Sequence, residues 1–521
     1  MKYIRKIKLF NFKRFKEFSV TLDPTMNIII GDNEAGKSTI IQAIDIALSG
    51  SRSKVETQGI DKLLNIDAVK EFMCGEKRID LLPRMVIELY FSEMNSPLCN
   101  GENNSDNVEC DGISLIFEPS DEYSNEIKDV LDSDDCCFPY EYYTIRFISF
   151  SGEYYTGYRK FLKHILIDNS SVNGDYATKE YIKAVYYKSV NNLEKAYHSN
   201  EYRKSKANYK SGILVSLNDR LGSYEFDIRT DTKSNLISDL TINEGDIPIE
   251  NKGKGRQCFV KTEFALQRTT SGNDIEVLLL EEPENHLSHI NMKLLINHIA
   301  NSDNKQVFIT THNSLICSRL DLRKTIIINS ASDVPIKLAS LPSVTAEFFI
   351  KAPNNNILEF VLSSKVLLVE GDAEYILMDA FFKRITGNEL ANSGVHIISV
   401  GGTSFKRYLD ISKLLNIKTA VVRDNDGNVQ ANCVESYSDY QGPNMKLFYE
   451  SDNTFKTFEV SIFVLNTEIC NKLFASGRRT LTVQDYMLNN KTETAYQLLK
   501  EKSNEIIVPE YIQEAILWIN G

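Results

Sequence analysis

The sequence has no uninterrupted apolar run of about 18 residues, the length a helix needs to cross a bilayer, so a spanning helix is excluded. It has no C-x-x-C pair. Its nine cysteines, an odd number with Cys136 and Cys137 adjacent, suit neither a disulfide framework nor a zinc site, and read as reduced thiols. Behind the basic start MKYIRKIKLFNFKRFKEF there is no apolar h-region and no small-residue cleavage site, so no secretory leader is expected and the expected location is cytoplasmic. Repeats and low-complexity tracts are missing too. Positive charge is in deficit: 59 Lys and Arg against 71 Asp and Glu leave a net charge of −12. That balance argues against a surface coated with nucleic acid and leaves room for a local or metal-assisted contact.

What remains is a globular composition, 42% hydrophobic and 25% charged, in a chain of 521 residues. At roughly 150 residues per domain this length holds two to four domains. The opening residues alternate like a half-buried strand, and a short apolar run from Met26 to Ile30 stops at Gly31. GDNEAGKST follows, and then helical apolar spacing at Ile40, Ile41, Ala43, Ile44 and Ala47. Strand, glycine loop and helix form the context of a phosphate-binding loop, and Gly31 to Ser38 fits G-x-x-x-x-G-K-[ST] in full. Gly31 and Gly36 let backbone N–H groups, including those of Asn33 and Thr39, turn toward phosphates; Lys37 is expected to meet the β and γ phosphates and Ser38 to hold Mg²⁺.

A second apolar strand, Glu276 to Leu280, leads to Glu281 and Glu282. Paired with the loop, Glu281 is expected to hold the Mg²⁺ water shell and Glu282 to orient or deprotonate the attacking water. A third strand, Gln306 to Thr310, runs into THNS and places His312 where a polar group senses the γ-phosphate. A helical segment is expected near Gln257 to Gln267. Between about Ser96 and Gly253 the pattern degrades into polar clusters and a tyrosine- and lysine-rich stretch, read as an insertion of about 96–250. Its tyrosines suit packing in a dimer or arm interface, or stacking on bases.

The polar segment Lys351 to Asn356 is the linker candidate. Beyond it KVLLVEG, HIISVGG and TAVVRDND read as buried strands with helices between them, a βαβαβ pattern and hence a small parallel sheet. Glu370 ends the first strand, with Glu374 just after it, and Asp424 and Asp426 close the third. Two residues apart in an extended segment, the aspartates project to one side, and adjacent strands bring Glu370 beside them. Carboxylates so gathered repel unless a hard cation lies between them, and Mg²⁺ or Mn²⁺ is the natural occupant.

The hairpin with NFKRF, GDNEAGKST, LLLEEPENHL and TTHNS together resemble the ABC-type ATPases of the SMC and RecF kind. E-G-x-x-E, then Gly401-Gly402, then D-x-D resembles a Toprim domain. An ATPase head followed by Toprim is similar to the OLD family of ATP-dependent endonucleases, over about two thirds of the chain. The resemblance implies an α/β fold with ATPase domain 1–350 and Toprim domain 357–521. It also implies a signature loop, matched by Gly255 but without its usual serine, that completes a second copy's ATP site. Glu459 in T-x-E becomes another metal ligand and Lys491 a basic residue of the nuclease site. The partners implied are DNA, a homodimer or higher homo-oligomer, and a helicase or a reverse transcriptase with its small DNA in an antiviral system; no membrane is expected. The alternative is a RecF-like DNA-repair ATPase whose Toprim domain only recruits partners.

Overall fold

The computed structural model describes residues 2–94, 96–133, 137–157, 161–168, 182–183, 185–187, 189–220, 225–229, 235–266, 275–285, 287–301, 304–330, 332–352, 356–475 and 480–521, with the backbone alone at 264–266 and 318. They form two compact units, Met1–His312 with Lys324–Ile336, and Asn313–Arg323 with Lys337–Gly521.

The first unit is built on two sheets. In the antiparallel one, strands run in the order Phe15–Thr21, Ile4–Phe12, Met85–Phe91 and Cys110–Pro119, and Tyr143–Ser149 also pairs with Cys110–Pro119. Tyr143–Ser149 alternates buried and half-buried positions, the period-2 signature of a sheet with one face on a core. The other sheet has the order Ser332–Lys337, Thr325–Asn329, Met26–Gly31, Gln306–Thr310, Val277–Glu281, His164–Asp168. The register of its four central strands and of His164–Asp168 is parallel. Helix Lys37–Ser49 is buried on nearly every side, as an apolar helix must be when it packs against both layers.

Parallel pairing puts all strand C-termini at one edge, where open α/β sheets bind ligands. Gly31, Glu281, Thr310 and Asp168 end their strands there: Glu281 is in register with both Thr310 and Asp168.

The second unit holds a four-stranded parallel sheet in the order Val395–Ser399, Lys365–Val369, Lys418–Val422, Met445–Phe448. Helix Asp372–Thr386 follows the first of these in sequence and stops at Gly387, whose φ of 74° supplies a left-handed cap. Helix Lys491–Lys502 packs along it, and helix Glu510–Asn520 covers the sheet.

The helix expected near Gln257 to Gln267 spans Lys254–Leu266. The stretch from Ser96, read as irregular, supplies Cys110–Pro119, Tyr143–Ser149 and the edge strand His164–Asp168 to the two sheets. Its polar clusters are the loops between those strands. Part of the tyrosine-rich stretch lies outside the described residues; within them, helix Asn192–Gly212 has no buried residue and opens with a capping box from Asn191 and Glu194. Most of the linker KAPNNN, 353–355, is also outside them. The second unit takes in Asn313–Arg323 and helix Ser343–Lys351 ahead of that linker. Strand Met445–Phe448 had no sequence expectation, being only four residues long.

Among the described residues no helix is long and apolar enough to cross a membrane. None of the eight cysteines described is in a disulfide.

Candidate nucleotide and carboxylate sites

In the first unit the loop Gly31–Gly36 is shaped by close approach. A Cβ on Gly31 would stand 2.2 Å from the Ile328 carbonyl oxygen of the neighbouring strand, so only glycine lets the loop leave there. Gly36 has φ 97°, and a Cβ on it would meet the Phe15 ring at 2.6 Å. The hairpin tip Asn11 to Phe15 therefore seats on the loop, and Arg14 donates to the Glu34 carbonyl at 3.3 Å. Helix Lys37–Ser49 starts without a side-chain cap, leaving its first N–H groups directed at the loop.

Lys37 is buried and donates to the carbonyls of Gly31 at 2.8 Å and Asp32 at 2.7 Å. Burial lowers its pKa, opposed by the charges of Glu282, Asp32 and Glu284. Burial pushes the Glu281 carboxyl up, against a hydrogen bond from Ser38 and the charge of Lys13; Asp168 and Glu282 add to the rise. Ser38 thus stands against Glu281, and Lys37 lies in the field of the neighbouring Glu282. Asn33 and Ser38 are exposed and Thr39 is buried.

Glu282 has φ 43°, a left-handed conformation that a non-glycine residue keeps only where its surroundings hold it. Its Oε2 accepts from Asn285 Nδ2 at 2.8 Å, and its Oε1 lies 3.5 Å from Nε2 of the exposed His312. Non-glycine residues with positive φ recur at these loops, at Lys13, Glu34, Glu282 and Asp426. Gly255 is buried in the first turn of helix Lys254–Leu266, next to Arg256, which donates to Glu244 at 3.0 Å.

In the second unit Glu370, Glu374, Asp424, Asp426, Glu459 and Lys491 come together electrostatically. Asp424 is buried and its Oδ1 accepts the Phe458 N–H at 2.8 Å; burial, reinforced by Glu374, Glu370 and Glu459, pushes its carboxyl up to about 9. Glu374 is pushed up to about 7 by burial, by Glu459 and by Glu370, and Glu370 is raised by burial and by Asp426. The buried Glu459 accepts from Lys491 Nζ at 3.0 Å and from Thr457 Oγ1 at 2.9 Å. Lys491 opens a helix, where a cation opposes the dipole, and this ion pair is the local reason for it.

The two aspartates do not sit in one extended segment. The strand ends at Val422, and the fully buried Asn425 donates to the carbonyls of Glu450 at 2.8 Å and Asp452 at 3.0 Å while accepting Gly427 N–H at 2.8 Å. That bends the chain, leaving Asp424 buried and Asp426 exposed at φ 52°.

Glu370 Oε2 and Glu459 Oε1 are buried without a hydrogen-bond partner among the described residues. Such oxygens, in an all-carboxylate set with one lysine, fit a hard divalent cation. Among the described residues no three ligating side chains converge on a single point, so the set is an acidic pocket and not a closed cage.

Several neighbours had no sequence expectation. Asp168 and Lys13 flank Glu281 from a strand edge and a hairpin tip distant in sequence. Arg423 is buried, donates to Tyr437 OH at 2.6 Å and stands near Glu370. Glu284, the third acid of EEPE, accepts from Thr311 and His312. Its signal was on view, since a third carboxylate, one proline after the Glu281–Glu282 pair, is not needed to end a strand.

Residues 1–240 match the AAA ATPase domain family, and residues 361–426 match the Toprim domain of the family described as overcoming lysogenization defect protein-like. The DNA replication and repair protein RecF of Clostridium tetani is 29% identical over 99 residues, covering 15% of this chain and 26% of that protein. The chain thus spans about a quarter of that relative. Among solved structures, an SMC head bound to the C-winged helix domain of ScpA aligns with TM-score 0.37 and 15% identity, over 65% of this chain and 99% of that one. The C-terminal region of the Xanthomonas campestris pv. campestris OLD protein aligns with TM-score 0.23 and 21% identity, over 30% and 94%.

Proposed function

From a chain that joins an AAA ATPase domain to an OLD-like Toprim domain, we propose an ATP-binding and ATP-hydrolysing DNA endonuclease that depends on Mg²⁺ or Mn²⁺ and acts in bacterial antiviral defence. The observation that carries the reading is the pair of sites. One unit has a phosphate loop with two acids at the same sheet edge, and the other a buried acidic pocket with unsatisfied carboxylate oxygens and one lysine.

In the first, the loop backbone and Lys37 bind the phosphates, Ser38 and Glu281 hold the metal water shell, and Glu282 takes or orients the proton of the attacking water. His312, beside Glu282, reads the γ-phosphate. In the second, Glu370, Glu374, Asp424, Asp426 and Glu459 would hold divalent cations, which supply charge stabilisation to the attacking and leaving oxygens of a phosphodiester. Lys491 orients Glu459 and adds a positive charge at the pocket. Nucleotide occupancy gates cleavage, and head-to-head pairing of two copies brings Gly255 of one to the ATP of the other. In the cell a helicase, or a reverse transcriptase with its small DNA, is the expected companion.

A RecF-like repair ATPase with a non-catalytic Toprim domain is the second reading; the RecF match and, among the described residues, the lack of three converging ligands favour it. Plasmid incubated with the protein, Mg²⁺ or Mn²⁺, with and without ATP, separates the two. Nicked or linear product that disappears with Asp424→Ala and Glu370→Ala supports the nuclease. No product under any condition, or full cleavage by both variants, overturns it.

A further inference from the structure

The catalytic Glu282 and the exposed His312 come from different strands, and both leave the sheet edge by loops. A loop residue can hold a ring next to a carboxylate only if its backbone is tied down. Here the tie is Glu284. Its Oε1 accepts the Thr311 hydroxyl at 2.6 Å and the His312 backbone N–H at 2.9 Å. Pro283, buried and with its φ fixed by the ring, connects Glu284 to Glu282. The arrangement closes on itself: Glu282 to His312 across 3.5 Å, His312 N–H to Glu284, and Glu284 back through one proline to Glu282.

We infer that Glu284 is a positioning residue for nucleotide hydrolysis, which fixes the Thr311–His312 backbone so that the His312 ring stands beside Glu282. The inference rests on the ATPase reading above. Two features separate this role from that of a third catalytic acid. Both hydrogen bonds run to one oxygen, whereas Oε2 is buried with no hydrogen-bond partner among the described residues. The oxygen that does the holding needs no charge. Glutamine supplies the same acceptor and puts its amide where Oε2 lies, whereas alanine leaves the Thr311 hydroxyl and the His312 N–H without their acceptor.

The test is ATP turnover by the full chain, with nucleotide affinity read separately from a fluorescent ATP analogue. Glu284→Ala is expected to lower kcat by about 10- to 100-fold, the scale of a misplaced catalytic group, with KM within about 2-fold of wild type. Glu284→Gln is expected to restore most of that loss. Thr311→Val, which removes one of the two bonds and leaves Glu284 in place, gives a smaller fall in kcat and serves if the alanine variant does not fold. Because Glu284 acts through His312, adding Glu284→Ala to His312→Ala costs nothing further. The inference is overturned by wild-type kcat in Glu284→Ala, by a loss confined to KM, or by losses that multiply in the double variant. A Glu284→Gln variant as slow as alanine overturns it as well, by making the charge the active feature. If wild-type protein binds the analogue and hydrolyses no ATP, the ATPase reading falls first and this role falls with it.

Discussion

Replacing Asp424 by asparagine is expected to stabilise the metal-free second unit, although it removes a residue the nuclease reading requires. The carboxyl is buried against Glu374, Glu370 and Glu459, which pushes it from the ordinary 3.8 up to about 9. A group raised in the folded state gives stability that is complete below its unfolded pKa and is lost as pH climbs toward the folded one. Between about pH 4 and pH 7 the loss runs at about 1.4 kcal/mol per pH unit, or about 4 kcal/mol as an upper bound by neutrality. Asparagine carries no charge and its Oδ1 can still accept the Phe458 N–H, so it keeps the contact and sheds the repulsion. Thermal unfolding in EDTA at several pH values measures this. Wild type should melt higher at pH 5 than at pH 8, with a shallower slope in Asp424→Asn and a higher melting point for the variant at pH 8. Mg²⁺ should invert the order, raising wild type and leaving the variant nearly unmoved. A variant less stable than wild type in EDTA at pH 8, or a wild type that gains stability from pH 5 to 8, refutes the electrostatic account of the pocket.

Lys37→Ala should weaken ATP binding by at least about 10-fold, whereas Glu282→Gln should bind normally and hydrolyse slowly, since one removes a phosphate-facing charge and the other an acceptor of the same shape; equal losses of affinity in calorimetry would contradict the division. Gly31→Ala should cost about 3 kcal/mol or more and abolish nucleotide binding, because its Cβ would meet the Ile328 carbonyl at 2.2 Å, and denaturant melts of the first unit check it. Lys491→Met leaves Glu459 buried without its ion pair, so the metal-free melting point should fall, with about 1–3 kcal/mol lost after allowing for the half-exposed lysine; an unchanged melting point would show the pair to be incidental.

The parts legible in the sequence were those where one stretch of chain does the whole job. The phosphate loop, the strand ending in Glu281 and the two acidic and one glycine strand ends of Toprim each carry their pattern within about ten residues, and the strands lie within a residue or two of the sequence expectation. What could not be read depends on who sits next to whom. Asp168 meets Glu281 only through the pairing of His164–Asp168 with Val277–Glu281, more than a hundred residues apart. The antiparallel strands after Ser96 were hidden because their loops are long and polar and dominate any window average. Asp426 misled for a different reason: spacing of two implies one face only if the backbone stays extended, and the buried amide of Asn425 turns it.

The chain leaves the ATPase unit after His312, comes back at Lys324 and departs again after Ile336. No single cut in the gene can therefore yield two self-sufficient halves. A fragment ending at 312 lacks strand Thr325–Asn329, which lines Met26–Gly31 and whose Ile328 carbonyl shapes the phosphate loop. One that begins at 337 lacks helix Ser314–Arg319, whose Arg319 donates to the Ile350 carbonyl at 2.6 Å. Separating the two units at this junction therefore requires the short excursion from Asn313 to Arg323 to be carried along or rebuilt.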